Sequence, residues 1–279
     1  MILEHFADIY KKGGFSFEEA HSEIYYALEI ISGLKYEDFI LGKTLSDWQI
    51  MKAEAVFKER VSSRKPLQQI LGQAFFSGRR FFVNEYTLIP RPETEMLVKA
   101  VLNCCLPARN SEILDIGTGS GCIGISLMLE NSGIKADMSD IQKEVLTTAE
   151  KNAFFHNVRS TSGFILSDLF ENIDKKYDVI VSNPPYIPLK ERETLEIEVR
   201  KYEPSAALFA LDDEGLEYYE KIIKDAHKYL KAGGMLAFEA GKNQAQKIKQ
   251  LLENAGYTDI VITKDFNNIE RVITAEINE

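Results

Sequence analysis

The stretch ILDIGTGSGCIG, residues 113–124, runs from a strand-like segment through a glycine loop into a helical segment. Gly117, Gly119 and Gly121 let the backbone turn sharply and pass close to a ligand. The helix that follows opens with unsatisfied N–H groups. Strand, loop and helix in that order predict an α/β domain in which Gly117, Thr118, Gly119, Ser120 and Gly121 surround a nucleotide-like cofactor. The literal spacing Gly119-x-Gly121-x-x-Gly124 is also present, which keeps a dinucleotide open as the ligand.

Outward from this loop, the strand-like runs EILDI, IKADM, FILSD, YDVIV and GMLAFEA alternate with helical stretches, and IVITKD and RVITAEI come late in the chain. That alternation predicts a mostly parallel sheet. Open α/β sheets bind ligands beyond the carboxyl ends of their strands, so acids at those ends are the candidates. Asp140 ends the second run and is placed to accept hydrogen bonds from two ribose hydroxyls. Asp137 is its rival, because KADMSD leaves the strand end ambiguous, and a helix cap is the blander role for Asp140. Asp168 follows the third run and is expected to take an adenine amino group, with Leu169 and Phe170 packing on the ring.

The run YDVIV leads into SNPPYIP, residues 182–188. Pro184 and Pro185 cannot donate from the backbone, so the strand stops and their carbonyls remain as acceptors. Asn183 adds a side-chain acceptor. A rigid, acceptor-rich turn suits an NH₂ group gripped through both hydrogens, one by Asn183 and one by the Pro184 carbonyl, with Tyr186 as a flat face beside it. Together with an S-adenosylmethionine site, this predicts methylation of a planar amide or exocyclic amine, driven by alignment and electrostatics. No histidine or cysteine is required.

The rest of the chain organises around that domain. Residues 1–73 read as a helical bundle, 74–88 as a β-hairpin linker around Ser77-Gly78, and 89–279 as the α/β domain. Within the bundle, Ile24, Leu28 and Ile31 recur at helical spacing before Gly33, and Trp48, Met51, Ala55 and Val56 predict a second apolar stripe with Trp48 in the core. A formal charge of -10 argues against broad capture of nucleic acid. Three cysteines, at 104, 105 and 122, suggest a reducing compartment, and each is expected to serve packing. No run of 18 apolar residues is present, and MILEHFADIYKKGG lacks the pattern of a secretory leader. The four histidines are scattered, so no metal site is expected.

The combination of LDIGTGSG, Asp140 and SNPPY resembles the S-adenosylmethionine-dependent amino-group methyltransferases. With PLQQILGQAFFSGRRFFV (66–83), IPRPETE (89–95), SDLF (167–170), YEPSAALFA (202–210), EAGKNQ (239–244) and ERV (270–272), nearly the whole chain resembles one branch, the release factor glutamine methyltransferases. The resemblance implies a seven-stranded, Rossmann-like class I methyltransferase domain behind a helical substrate-recognition domain and a hairpin. It implies transfer from S-adenosylmethionine to the Gly-Gly-Gln glutamine of release factors 1 and 2, in the cytoplasm, by a monomer.

Asn183 and Pro184 would then hold the amide, Pro185 and Tyr186 would flank it, and Asn183 would also border the cofactor. Arg91, Pro92 and Glu93 would shape the entrance, and Glu203 and Pro204 would support the lid after SNPPY. Glu93 has a blander alternative as a first-turn acid of its helix. Departures from the family pattern are Gln69 in place of a frequent tyrosine, the segment LDDEG (211–215), the polar KADM and Leu169 in place of a tryptophan. The rivals are an adenine-N6 or guanine-N2 nucleic acid methyltransferase, an NAD-dependent oxidoreductase, and an adaptor that keeps the fold without the reaction.

Overall fold

The computed structural model describes residues 2–105 and 110–277, and the side chains of Cys104 and Cys105 lie outside the described residues. Its contacts divide the chain into two units, Met1–Ala74 with Glu196–Tyr202, and Phe75–Leu195 with Glu203–Glu279.

The first unit contains α1 (Ile2–Lys12), α2 (Phe17–Ser32), α3 (Tyr36–Ile40), α4 (Asp47–Ser63) and α5 (Leu67–Leu71). Ser16 and Ser46 open α2 and α4 with reciprocal capping boxes to Glu19 and Gln49. Gly33 closes α2 in the left-handed conformation. Phe6, Tyr10, Leu28 and Phe57 fill the core, with Phe6 and Phe57 edge to face at 5.0 Å.

The expectation for α4 needs correction. Trp48 is 61% and Met51 69% exposed, and Ala55 also faces out. The buried residues are Ala53, Val56, Phe57 and Arg60. Arg60 turns inward because its guanidinium is shared between the Glu23 carboxylate, at 2.9 Å, and Glu198, at 3.3 Å. That pairing compensates the cost of burying the charge, and the buried stripe runs through positions 53, 56, 57 and 60. Gln69 is buried too, and its amide donates to the Tyr202 carbonyl at 3.0 Å.

The hairpin strands are β1 (Gln73–Phe76) and β2 (Arg79–Phe82). Ser77 and Gly78 between them have φ of 49° and 70°, the sign that a type I′ turn requires. The second unit is built on a seven-stranded sheet. Its parallel strands are β3 (Glu112–Ile116), β4 (Lys135–Asp140), β5 (Ser162–Leu166), β6 (Tyr177–Ser182) and β9 (Leu230–Glu239), while β7 (Ile187–Pro188) and β8 (Phe209–Ala210) pair separately. Antiparallel β10 (Tyr257–Lys264) and β11 (Glu270–Ile277) complete one edge, giving the order β10-β11-β9-β6-β3-β4-β5.

Both faces of this sheet are covered, so its strands alternate between two cores. Ile113, Val179, Val181 and Ala237 meet α6 (Glu95–Cys105), α7 (Cys122–Glu130) and α8 (Lys143–Phe155). Leu114, Ile180, Leu236 and Phe238 meet the other face's helices. After α9 (Ile197–Tyr202), which counts with the first unit, come α10 (Ser205–Leu208) and then α11 (Glu217–Ala226) and α12 (Ala245–Asn254), the helices of that other face. The chain leaves β3 for β4 on one side and later returns as β6 on the other. This is a topological switch point, where a crevice opens beyond the strand ends. Among the described residues no helix is long and apolar enough to cross a membrane.

Candidate active site

The ends of β3, β4, β5 and β6 deliver the glycine loop, Asp140, Ser167–Leu169 and Asn183–Pro185 to one cavity of about 200 Å³. Gly117 and Gly119 hold φ of 66° and 57°, conformations that side chains rarely adopt, and this bends the loop across the β3–β4 edge. The Thr118 N–H donates to the Ser139 carbonyl at 3.0 Å. Beneath the loop, Asp115 accepts from the Thr118 hydroxyl at 2.7 Å and the Gly124 N–H at 3.1 Å. Burial pushes its carboxyl up to about 7. Asp115 therefore braces the loop from below; it does not line the cavity.

Asp140 does line it, and accepts from the Gly119 N–H at 3.3 Å and the Gln142 N–H at 3.1 Å. Burial raises its pKa above the ordinary carboxylate value. Asp137 points elsewhere, accepting from the Tyr177 hydroxyl at 2.8 Å and pairing with Lys175 at 3.0 Å. After β5, Leu169 has φ 47°, an outlier for a branched side chain, and lines the cavity beside Asp168. The Ser167 hydroxyl donates to the Leu169 carbonyl at 3.0 Å, which fixes that turn. Phe170 departs from expectation: it is buried in the core and stacks on Tyr229 at 4.7 Å, so it offers no face to a cofactor ring.

On the opposite wall, Asn183 donates from Nδ2 to the Thr94 hydroxyl at 3.3 Å. Thr94 in turn donates to the Glu239 carboxylate at 2.5 Å. Glu239 is buried, and burial pushes it up to about 7. The loop after Asn183 is clasped by Gln244. Its amide donates to the Tyr186 and Glu214 carbonyls, both at 2.9 Å, and its oxygen accepts from the Gly241 N–H at 3.0 Å. At the entrance, Arg91 pairs with the buried carboxylate of Glu203, which also accepts from the Ile89 N–H.

Arg91, Gly117, Thr118, Gly119, Ser120, Asp140, Asp168, Leu169, Asn183, Pro184 and Pro185 thus come together around one cavity. Gly121, Glu93 and Tyr186 do not line it. Gly121 caps α7, and a Cβ there would lie 2.9 Å from Ile125 Cδ1. Tyr186 lies on a neighbouring polar cavity with Lys190, Gln244 and Arg271, and burial pushes its hydroxyl up to about 12. Cys122 belongs both to the core and to the cavity wall. Thr94, Glu239 and Gln244 carry no individual signal in the sequence, although IPRPETE and EAGKNQ contain them. Their side chains gain meaning only from contacts with residues 89, 145 and 58 positions away.

The methyltransferase small domain family model matches residues 93–200. The catalytic domain of hMettl16, solved in complex with a MAT2A 3′UTR hairpin, superposes with a TM-score of 0.59 at 17% identity, covering 86% of each chain. That likeness carries the class I methyltransferase fold and no substrate. The release factor glutamine methyltransferase of Fusobacterium nucleatum is 42% identical over 87% of this chain and 68% of its own length. The enzyme of the same name from Flavobacterium psychrophilum is 37% identical over 93% of this chain and 92% of its own. Identity sustained from the helical region to the last strands goes well beyond a shared fold, and this chain belongs to the release factor glutamine methyltransferase family.

Proposed function

We propose that this chain methylates the side-chain amide nitrogen, N5, of the glutamine in the Gly-Gly-Gln motif of release factors 1 and 2, with S-adenosylmethionine as donor, in the cytoplasm. The observation that carries the proposal is the meeting of Asn183 and Pro184 with the glycine loop and Asp140 around one cavity.

The lining fits the donor's chemistry. Asp140 offers carboxylate oxygens to the ribose hydroxyls, Asp168 offers acceptors to an amino group, and Ile141, Val145 and Leu169 supply apolar wall for a flat ring. When bound, S-adenosylmethionine supplies an electrophilic methyl group on a sulfonium. The residues of the chain do the rest by placement. The Asn183 side-chain oxygen and the Pro184 carbonyl accept one hydrogen each from the substrate NH₂, which orients its nitrogen. Both acceptors raise electron density on that nitrogen and favour the positive charge that develops there. Their rigidity matters, because an amide nitrogen is a poor nucleophile and tolerates little misalignment.

Incubation with release factors 1 and 2 and methyl-labelled S-adenosylmethionine, followed by mass spectrometry, tests the reading. Label on the Gly-Gly-Gln glutamine supports it. Label confined to RNA or DNA overturns it in favour of a nucleic acid methyltransferase.

A further inference from the structure

Asn183 can accept from a substrate NH₂ only if its Oδ1, and not its Nδ2, faces the substrate. The two ends of an amide differ little in shape, so hydrogen bonding must set the direction. We infer that Thr94 and Glu239 are positioning residues that fix this polarity: Glu239 takes the single Thr94 hydroxyl proton, Thr94 is left as acceptor for Asn183 Nδ2, and Asn183 Oδ1 is turned to the substrate. The inference rests on the methyl-transfer reading above.

The geometry leaves few alternatives. An ionised carboxylate is acceptor-only, and the Thr94 hydroxyl lies 2.5 Å from Glu239 Oε2. Its one proton is thereby committed. The lone pairs of Thr94 remain, and Asn183 Nδ2 sits 3.3 Å from them. Thr94, 3% exposed, lies in the cavity wall, and Glu239, 1% exposed, lies behind it, so the carboxylate is shielded from bulk water. Three separate elements meet here: the turn Pro92–Thr94 before α6, the end of β9 and the loop after β6.

The device requires the carboxylate form. A protonated Glu239 donates to Thr94, which frees the threonine proton for Asn183 Oδ1 and allows the amide to face the substrate with the wrong end. Burial moves this titration toward neutral pH, to about 7. Arg271 and Arg91 favour the carboxylate, and Glu93 opposes it. Tyr186 and Tyr219 also lie within electrostatic range, and the Tyr219 hydroxyl donates to the Glu239 backbone carbonyl.

The experiment compares wild type, Thr94→Val, Thr94→Ser and Glu239→Gln on release factor, with cofactor affinity measured separately by calorimetry. Thr94→Val keeps the shape and removes the hydroxyl. It is expected to lower kcat about 10- to 100-fold while cofactor affinity stays unchanged, and Thr94→Ser is expected to restore turnover. In wild type, kcat falls with decreasing pH near neutrality; in Glu239→Gln, whose amide does not titrate, that limb disappears. A Thr94→Val enzyme with kcat within twofold of wild type overturns the inference. So does a Glu239→Gln profile that keeps the wild-type acid limb, a result that stands even if the threonine variant fails to fold. Wild type that leaves release factor unlabelled overturns the functional reading instead, so the two failures are distinct.

Discussion

Adding one carbon at Gly215 should disable the site from behind. Gly215 has φ 74°, and a Cβ there would lie 2.0 Å from the Tyr186 carbonyl oxygen and 2.4 Å from Gln244 Nε2. These are the two ends of the bond by which Gln244 clasps the loop after Asn183. A left-handed alanine costs ~1–2 kcal/mol, and forcing an extra carbon into packed surroundings costs ~1–3 kcal/mol. The sum, ~2–5 kcal/mol, is a large part of a typical domain's ~5–15 kcal/mol. The loop can relieve the overlap by shifting, and a displacement of ~1 Å at a positioning element can cost ~100-fold in rate. Gly215→Ala should therefore lower the denaturation midpoint and reduce kcat by about two orders of magnitude, while leaving cofactor affinity near wild type, because the glycine loop and Asp140 are untouched. Urea denaturation, calorimetry with S-adenosylmethionine and steady-state methylation of release factor measure the three quantities. A variant with wild-type kcat and wild-type midpoint would refute the clasp.

Asn183→Ala should reduce turnover ~100- to 1,000-fold with little change in melting temperature, since it removes an acceptor from the reacting nitrogen. Asp140→Ala should weaken cofactor binding ~10- to 100-fold by calorimetry, whereas Asp137→Ala should leave that affinity unchanged because its carboxylate is occupied by Tyr177 and Lys175. The buried Asp115 has a folded pKa of about 7 against an ordinary 3.8, so its contribution to stability is full below about pH 4 and is lost as pH rises through 7. Denaturation midpoints between those pH values should fall for wild type and fall less for Asp115→Asn; Glu239, raised in the same direction, keeps part of the slope. In the helical unit, Phe57→Ala should cost ~3–5 kcal/mol, and the exposed Trp48→Ala no more than ~0.5 kcal/mol by the same denaturation assay.

What the sequence revealed and what it hid follow from the range of the interactions. The strand–glycine–helix signal is local, since glycine at 117 and 119 permits the positive φ that the sharp turn demands. The alternation of Ile113 with Leu114, and of Val179 with Ile180, is likewise readable because a sheet covered on both faces demands it. The inward face of α4 is hard to read, because one of its four buried positions is Arg60, a charged type that reads as solvent-facing until Glu23 and Glu198 are seen around it, while the apolar Trp48 and Met51 lie exposed. Phe170 is hard to read for a related reason: it follows a left-handed Leu169 into the core against Tyr229, and a φ of 47° at leucine is not predictable from its type. Thr94 and Glu239 stayed hidden because their role lies in a proton's position between residues 145 apart.

The return of Glu196–Tyr202 to the helical unit has a consequence for synthesis and for dissection. A chain emerging from the ribosome displays all five leading helices long before it can finish their packing. Until Glu198 and Tyr202 arrive, Arg60 has only Glu23, Gln69 lacks its carbonyl acceptor, and the Ser63 carbonyl lacks the Tyr202 hydroxyl. At ~5–20 residues per second the roughly 130 intervening residues impose a delay of ~7–26 s. A fragment cut after the hairpin stays permanently at that unfinished stage, so any fragment meant to isolate the helical region needs the later segment grafted back.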